Sequence, residues 1–192
     1  MKEVNWFYAP CVVIILKYLI ITPRTPMQLR ELTKIPGNYA NLILKKLQKQ
    51  EIVKCLTPDE KIGKVFCINS ISKDLVEKIL KHEGYNLKAY SLPALNWKAY
   101  GKLNCKTCKQ IKKIFHTAVS LRNLGIAITQ QNLKKKMKNI NGMIEIDRSD
   151  IYRALRQLRK LELMIPIKKK HKYLEYELTE NALTLNEFII SH

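Results

Sequence analysis

At 192 residues the chain has room for one large domain or two small ones, each with its own core. Its 35 basic and 16 acidic side chains leave a net charge of +19, split as +7 over residues 1–96 (15 basic, 8 acidic) and +12 over residues 97–192 (20 basic, 8 acidic). A surplus of this size points to a polyanionic partner, nucleic acid ahead of an anionic membrane surface. The scattered acids leave no carboxylate cluster for acid–base chemistry.

The longest apolar run, residues 9–21 (APCVVIILKYLII), contains Lys17 and falls short of the roughly 20 residues that span a bilayer. It carries no signal-peptide cleavage pattern, so a cytoplasmic chain without membrane insertion is expected. Five cysteines, an odd number, do not make a secreted disulfide framework. Cys105-Lys-Thr-Cys108 has metal-ligand spacing but no second pair, and His116 alone does not complete a tetrahedral site. Cys55 and Cys67 are placed either facing each other across a hairpin or as two small buried residues. No glycine-rich phosphate loop, nucleophile elbow or HExxH segment occurs. The reading is a protein that is not an enzyme and takes no metal or cofactor.

In chain order, residues 7–21 are apolar on nearly every face and predict a buried first helix. Thr25-Pro26 supplies a cap hydroxyl and a first-turn proline for a short helix, with Leu29 and Leu32 inward, ended by Ile35-Pro36-Gly37. Ala40, Ile43, Leu44 and Leu47 then recur at helical spacing from Asn38 onward, leaving Asn38, Tyr39, Asn41, Lys45 and Lys49 outside. Residues 52–56 and 65–68 read as strands around a charged turn that holds Lys61 and Lys64. A helix over residues 72–81, capped by Ser72, follows. Residues 85–104, with Tyr90, Trp97 and Tyr100, read as an ordered linker between domains at 1–84 and 105–192.

The second domain opens with a helix over residues 107–124, ended by Gly125. Thr129 caps a short helix through Lys138, a segment whose Lys134, Lys135, Lys136 and Lys138 are either solvated or near phosphate. Residues 139–147 predict a loop and a short strand around Ile144-Glu145-Ile146. Ser149 is read as the cap of a third helix, in which Ile151, Ala154, Leu155 and Leu158 repeat the spacing of Ala40, Ile43, Leu44 and Leu47. Strands at 163–167 and 173–178 flank a tip of Lys168, Lys169, Lys170, His171 and Lys172. Residues 179–190 form the last helix. The chain is built twice: Leu44-Lys45-Lys46-Leu47-Gln48-Lys49-Gln50-Glu51-Ile52-Val53 returns 111 positions on as Leu155-Arg156-Gln157-Leu158-Arg159-Lys160-Leu161-Glu162-Leu163-Met164, with Leu, Leu, Lys and Glu at the same spacing.

Helix, short helix, turn, helix and hairpin, twice over, resembles the winged helix-turn-helix family. Leu158, the apolar 163–167 strand and Leu178-Thr179-Glu180 are similar to the pattern of MarR-like regulators. The first copy departs from it, with Ile68-Asn69-Ser70 in place of Leu-Thr-Glu and Leu42 where the second has Arg153. The resemblance implies a mainly α fold with small β-hairpin wings, two winged helices in tandem, and a third helix that enters the major groove of double-stranded DNA. The implied contact residues are Asn38, Tyr39, Asn41, Lys45, Lys61 and Lys64 in the first copy. In the second they are Arg148, Ser149, Asp150, Tyr152, Arg153, Arg156, Lys168, Lys169, Lys170 and Lys172. Arg153 would read guanine and the wing lysines would hold phosphate.

The function expected is transcription regulation, with basal transcription machinery as a further partner. The lysine- and isoleucine-rich composition is similar to archaeal tandem regulators, which include activators of motility (archaellum) operons. A plasmid- or virus-type replication initiator and a winged-helix protein-interaction scaffold are the alternatives. The apolar first helix and the helix holding Phe188 form either a homodimer interface or the packing between the two copies.

Overall fold

The computed structural model describes residues 4–141, 147–167 and 174–191. Two compact units divide the chain, residues 1–105 and 106–192, each mainly helical with a small antiparallel sheet.

In the first unit, α1 (Val4–Phe7) precedes α2 (Pro10–Ile21), whose Val12, Ile15, Leu16, Leu19 and Ile20 are buried. The single helix expected from residue 7 is broken at Ala9-Pro10. Proline lacks the amide a helix interior needs but suits its first turn, so α2 restarts there. The next helix, α3 (Pro26–Thr33), opens on a reciprocal cap: the Thr25 hydroxyl accepts the Gln28 amide at 3.2 Å, and the Gln28 carboxamide oxygen accepts the Thr25 amide at 2.9 Å. Leu29 is buried; Leu32, expected inward, is exposed. Then α4 (Gly37–Lys49) buries Ala40, Ile43, Leu44 and Leu47, as its spacing requires. Strands β1 (Val53–Cys55) and β2 (Phe66–Ile68) pair antiparallel with Lys54 opposite Cys67 and Cys55 opposite Phe66. The two cysteines therefore point to opposite faces of the hairpin rather than toward each other. Burial pushes the Cys67 thiol up to about 11.

After α5 (Lys73–His82), the chain is less of a linker than its composition suggested. Residues 85–92 form a strap. The Tyr90 amide donates to Ile20 O at 2.8 Å, Lys73 Nζ donates to Tyr90 O at 3.2 Å, and the Ala89 amide donates to a Glu77 carboxylate oxygen at 2.7 Å. The strap leads to α6 (Trp97–Leu103), which belongs to the first unit. Its anchor is Tyr100, 2% exposed, whose hydroxyl donates to Pro23 O and accepts from Gln28 Nε2 at 2.9 Å.

The second unit contains α7 (Lys109–Asn123), β3 (Ile128–Thr129), α8 (Gln130–Asn141), α9 (Arg148–Lys160), β4 (Met164–Ile167), β5 (Glu175–Leu178) and α10 (Glu180–Ser191). Its core joins Ile114, Phe115, Leu121, Leu133, Leu155 and Leu158 to Met164, Tyr176 and Leu185. Gly125, with φ 67°, ends α7. The sheet runs β3-β5-β4, and β3 was not foreseen: two residues are too few to show alternation. Its counterpart in the first unit is a single antiparallel bridge between Arg24 and Phe66. The strand expected at 144–146 lies outside the described residues.

The duplication extends to backbone hydrogen bonds. After α4, the Ile52 amide reaches Leu47 O and the Glu51 amide reaches Gln48 O. After α9, Leu163 reaches Leu158 O and Glu162 reaches Arg159 O. Glu51 and Glu162 each sit at φ 57°, the left-handed position of a Schellman cap that glycine ordinarily fills. In each unit a hydroxyl from the following segment donates to that glutamate's carbonyl, Ser72 at 3.0 Å and Thr179 at 2.7 Å. Ser72 thus tethers a turn and makes no side-chain cap for α5.

Candidate nucleic-acid interface

The helix α9 has two faces by construction. Ile151, Ala154, Leu155 and Leu158 are buried, so Arg148, Ser149, Tyr152, Arg153 and Arg156 fall outside, and all five are exposed. Over Arg148–Lys160 there are five basic side chains (Arg148, Arg153, Arg156, Arg159, Lys160) against Asp150, a surplus of four. Tyr152 is 56% exposed.

Two of the expected readers already have partners. Asp147, not Ser149, is the cap residue: its carboxylate accepts the Ser149 amide at 3.3 Å and the Ser149 hydroxyl at 2.8 Å. Hydrogen bonds, the Ser149 hydroxyl first, hold the Asp147 carboxyl below its ordinary range. Ser149 therefore orients the start of the helix. Arg153 pairs with Asp150 one turn earlier, but its side chain stays 72% exposed. An exposed pair of this kind is worth less than about 1 kcal/mol, so a stronger acceptor displaces Asp150 at little cost.

Beside the start of α9 lies a cleft of about 240 Å³ lined by Gln130, Gln131, Lys134, Arg148 and Ile151. It combines two cations, two carboxamides and the amino-terminal ends of α8 and α9, where backbone amides and the helix dipole favour an anion. Lys134, Lys135 and Lys138 are exposed along α8. The lysines at 168, 169, 170 and 172 lie outside the described residues.

The corresponding face of α4 carries Asn38, Tyr39, Asn41, Leu42 and Lys45, all exposed, and α4 contains three lysines and no acid. Tyr39 is tied back by its hydroxyl to Cys11 Sγ at 3.6 Å. Lys46 lies over the Trp6 ring at 4.0 Å, drawn to the side of the helix. Lys61 and Lys64 are exposed, but their loop is clasped by α6. Glu60 receives Lys98 at 2.9 Å and Lys102 at 2.8 Å, Lys102 also donates to Ile62 O, and Gly63 meets Gly101 backbone to backbone. A Cβ at Gly63 would fall 2.6 Å from Gly101 O, so only glycine permits the approach. Hydrogen bonds from Lys102 and then Lys98 hold the Glu60 carboxyl below its usual range. Sequence reasoning missed this clasp because its partners lie roughly 40 residues apart.

Cys105 is buried at the end of the first unit and Cys108 precedes α7 in the second. Among the described residues, no group of three or more His, Cys, Asp or Glu side chains gathers to hold a metal, and no helix is long and apolar enough to cross a membrane. The chain matches no protein-family model and no curated protein.

Proposed function

We propose that the chain is a tandem winged-helix protein that binds double-stranded DNA in the cytoplasm and regulates transcription. Two unlike heads would contact adjacent major-groove segments, and occupancy beside a promoter would recruit or block the basal machinery. The observation that carries this reading is α9: one face fully committed to the core, the other presenting Arg148, Tyr152, Arg153 and Arg156, on a helix with a surplus of four positive charges. A single α-helix fits the major groove, and a guanidinium matches the paired acceptors of guanine there. The cleft at Lys134 and Arg148 suits a backbone phosphate, which would fix the helix in register. The lysine- and isoleucine-rich composition and the repeated helix pattern support kinship with archaeal tandem regulators.

The test is binding of the full chain to duplexes selected from a random-sequence pool, followed by fluorescence anisotropy. Arg153→Ala is expected to weaken the selected duplex by about 10- to 100-fold, the size of one bidentate base contact. Failure to enrich any duplex, or unchanged binding by Arg153→Ala, counts against DNA reading by α9.

A further inference from the structure

Leu42 sits on the outward face of α4, 61% exposed, at the position that Arg153 takes in the repeat. The core does not need it: Ala40, Ile43, Leu44 and Leu47 already supply the buried face of that helix. Helical spacing places Asn38, Tyr39, Lys45 and Lys46 beside it and Asn41 one position before it, all exposed, and the helix carries no acid. An apolar side chain set among a carboxamide and cations has a specific counterpart in duplex DNA. Thymine is the one base that offers an apolar group, its 5-methyl, to the major groove. Adenine offers the acceptor and donor that a carboxamide matches.

We infer that Leu42 is a specificity-determining residue that packs on a thymine 5-methyl, so that the first head selects an A·T-bearing segment and the second head, through Arg153, a G·C-bearing one. This inference rests on the DNA-binding reading above. The lysines would hold α4 against phosphate, Asn41 would accept from and donate to an adenine edge, and Leu42 would discriminate thymine from cytosine. The Tyr39 hydroxyl is tied to Cys11 of α2 at 3.6 Å. Leu42 is the most exposed apolar side chain of that helix.

The test replaces thymines in the selected duplex one at a time by uracil, which removes only the methyl, and measures binding of the full chain. In the segment not protected by Arg153, one replacement is expected to weaken the wild type about fourfold, the effect of one buried methyl group. The same replacement should leave Leu42→Ala unchanged. Because Leu42 lies outside the core, that variant is expected to fold, which circular dichroism checks. Reselection with Leu42→Ala should lose the thymine preference at that position and keep the Arg153 segment. If wild-type binding is indifferent to every uracil while Arg153→Ala still weakens it, Leu42 is no base reader and the DNA-binding reading stands. If no duplex is bound at all, the underlying reading fails; capture of a helical peptide on the α4 face instead would assign Leu42 to a protein partner and overturn the inference.

Discussion

The two units repeat a backbone and diverge on their surfaces. Both end the third helix with the same pair of hydrogen bonds, both place a glutamate at φ 57°, and both tether it with a hydroxyl from the segment beyond the hairpin. Yet α9 presents Arg153 and Arg156 where α4 presents Leu42 and Lys45. The first unit also carries what the second does not show among the described residues: a strap over residues 85–92 and a helix, α6, clasped to its hairpin loop through Glu60, Lys102 and the Gly63–Gly101 approach. A repeated chain keeps the bonds that close each fold, while the faces that fold leaves outside are free to take different chemistry.

The clasp is the feature most open to attack. Gly101→Val places branched carbon against the Gly63 backbone and the Val65 side chain, and overpacking of this kind should cost about 3 kcal/mol of first-unit stability. Urea denaturation followed by the fluorescence of Trp6 and Trp97, both in the first unit, measures it. An unchanged midpoint would mean that α6 does not hold the hairpin, and the two units would be more alike than described. The shared cap gives a smaller and opposite effect. Glu51→Gly and Glu162→Gly each relieve a left-handed residue and should each stabilise the chain by up to about 1 kcal/mol. Equal increments sharpen the equivalence of the two turns; a gain at one site alone breaks it.

Much of this was legible in the letters. The buried stripes Ala40-Ile43-Leu44-Leu47 and Ile151-Ala154-Leu155-Leu158 follow from helical spacing, and the outward faces of α4 and α9 follow from them by exclusion. The recurrence of Leu47 with Glu51 and Leu158 with Glu162 marked the duplication, though not the left-handed glutamate of each turn, because propensity argues for glycine there. What the sequence hid depends on distant partners. Tyr100 has no periodic neighbours; its place is set by Pro23 and Gln28, more than 70 residues away. The clasp on Lys61 and Lys64's loop, the short β3 and the split between α1 and α2 were hidden by brevity or by an apolar run that masked Pro10. Asp147 outcompeted Ser149 as the cap because a carboxylate accepts from both the amide and the hydroxyl that follow it.

Two unlike heads are proposed to read adjacent segments of one duplex. Hydroxyl-radical footprinting of the full chain on its selected duplex tests this proposal most directly. Two protected backbone segments flanking neighbouring major grooves are expected, unlike in sequence and without two-fold symmetry, the one that weakens in Arg153→Ala being the G·C-bearing segment. A single short protected segment, or an inverted repeat read by two identical heads, would contradict it.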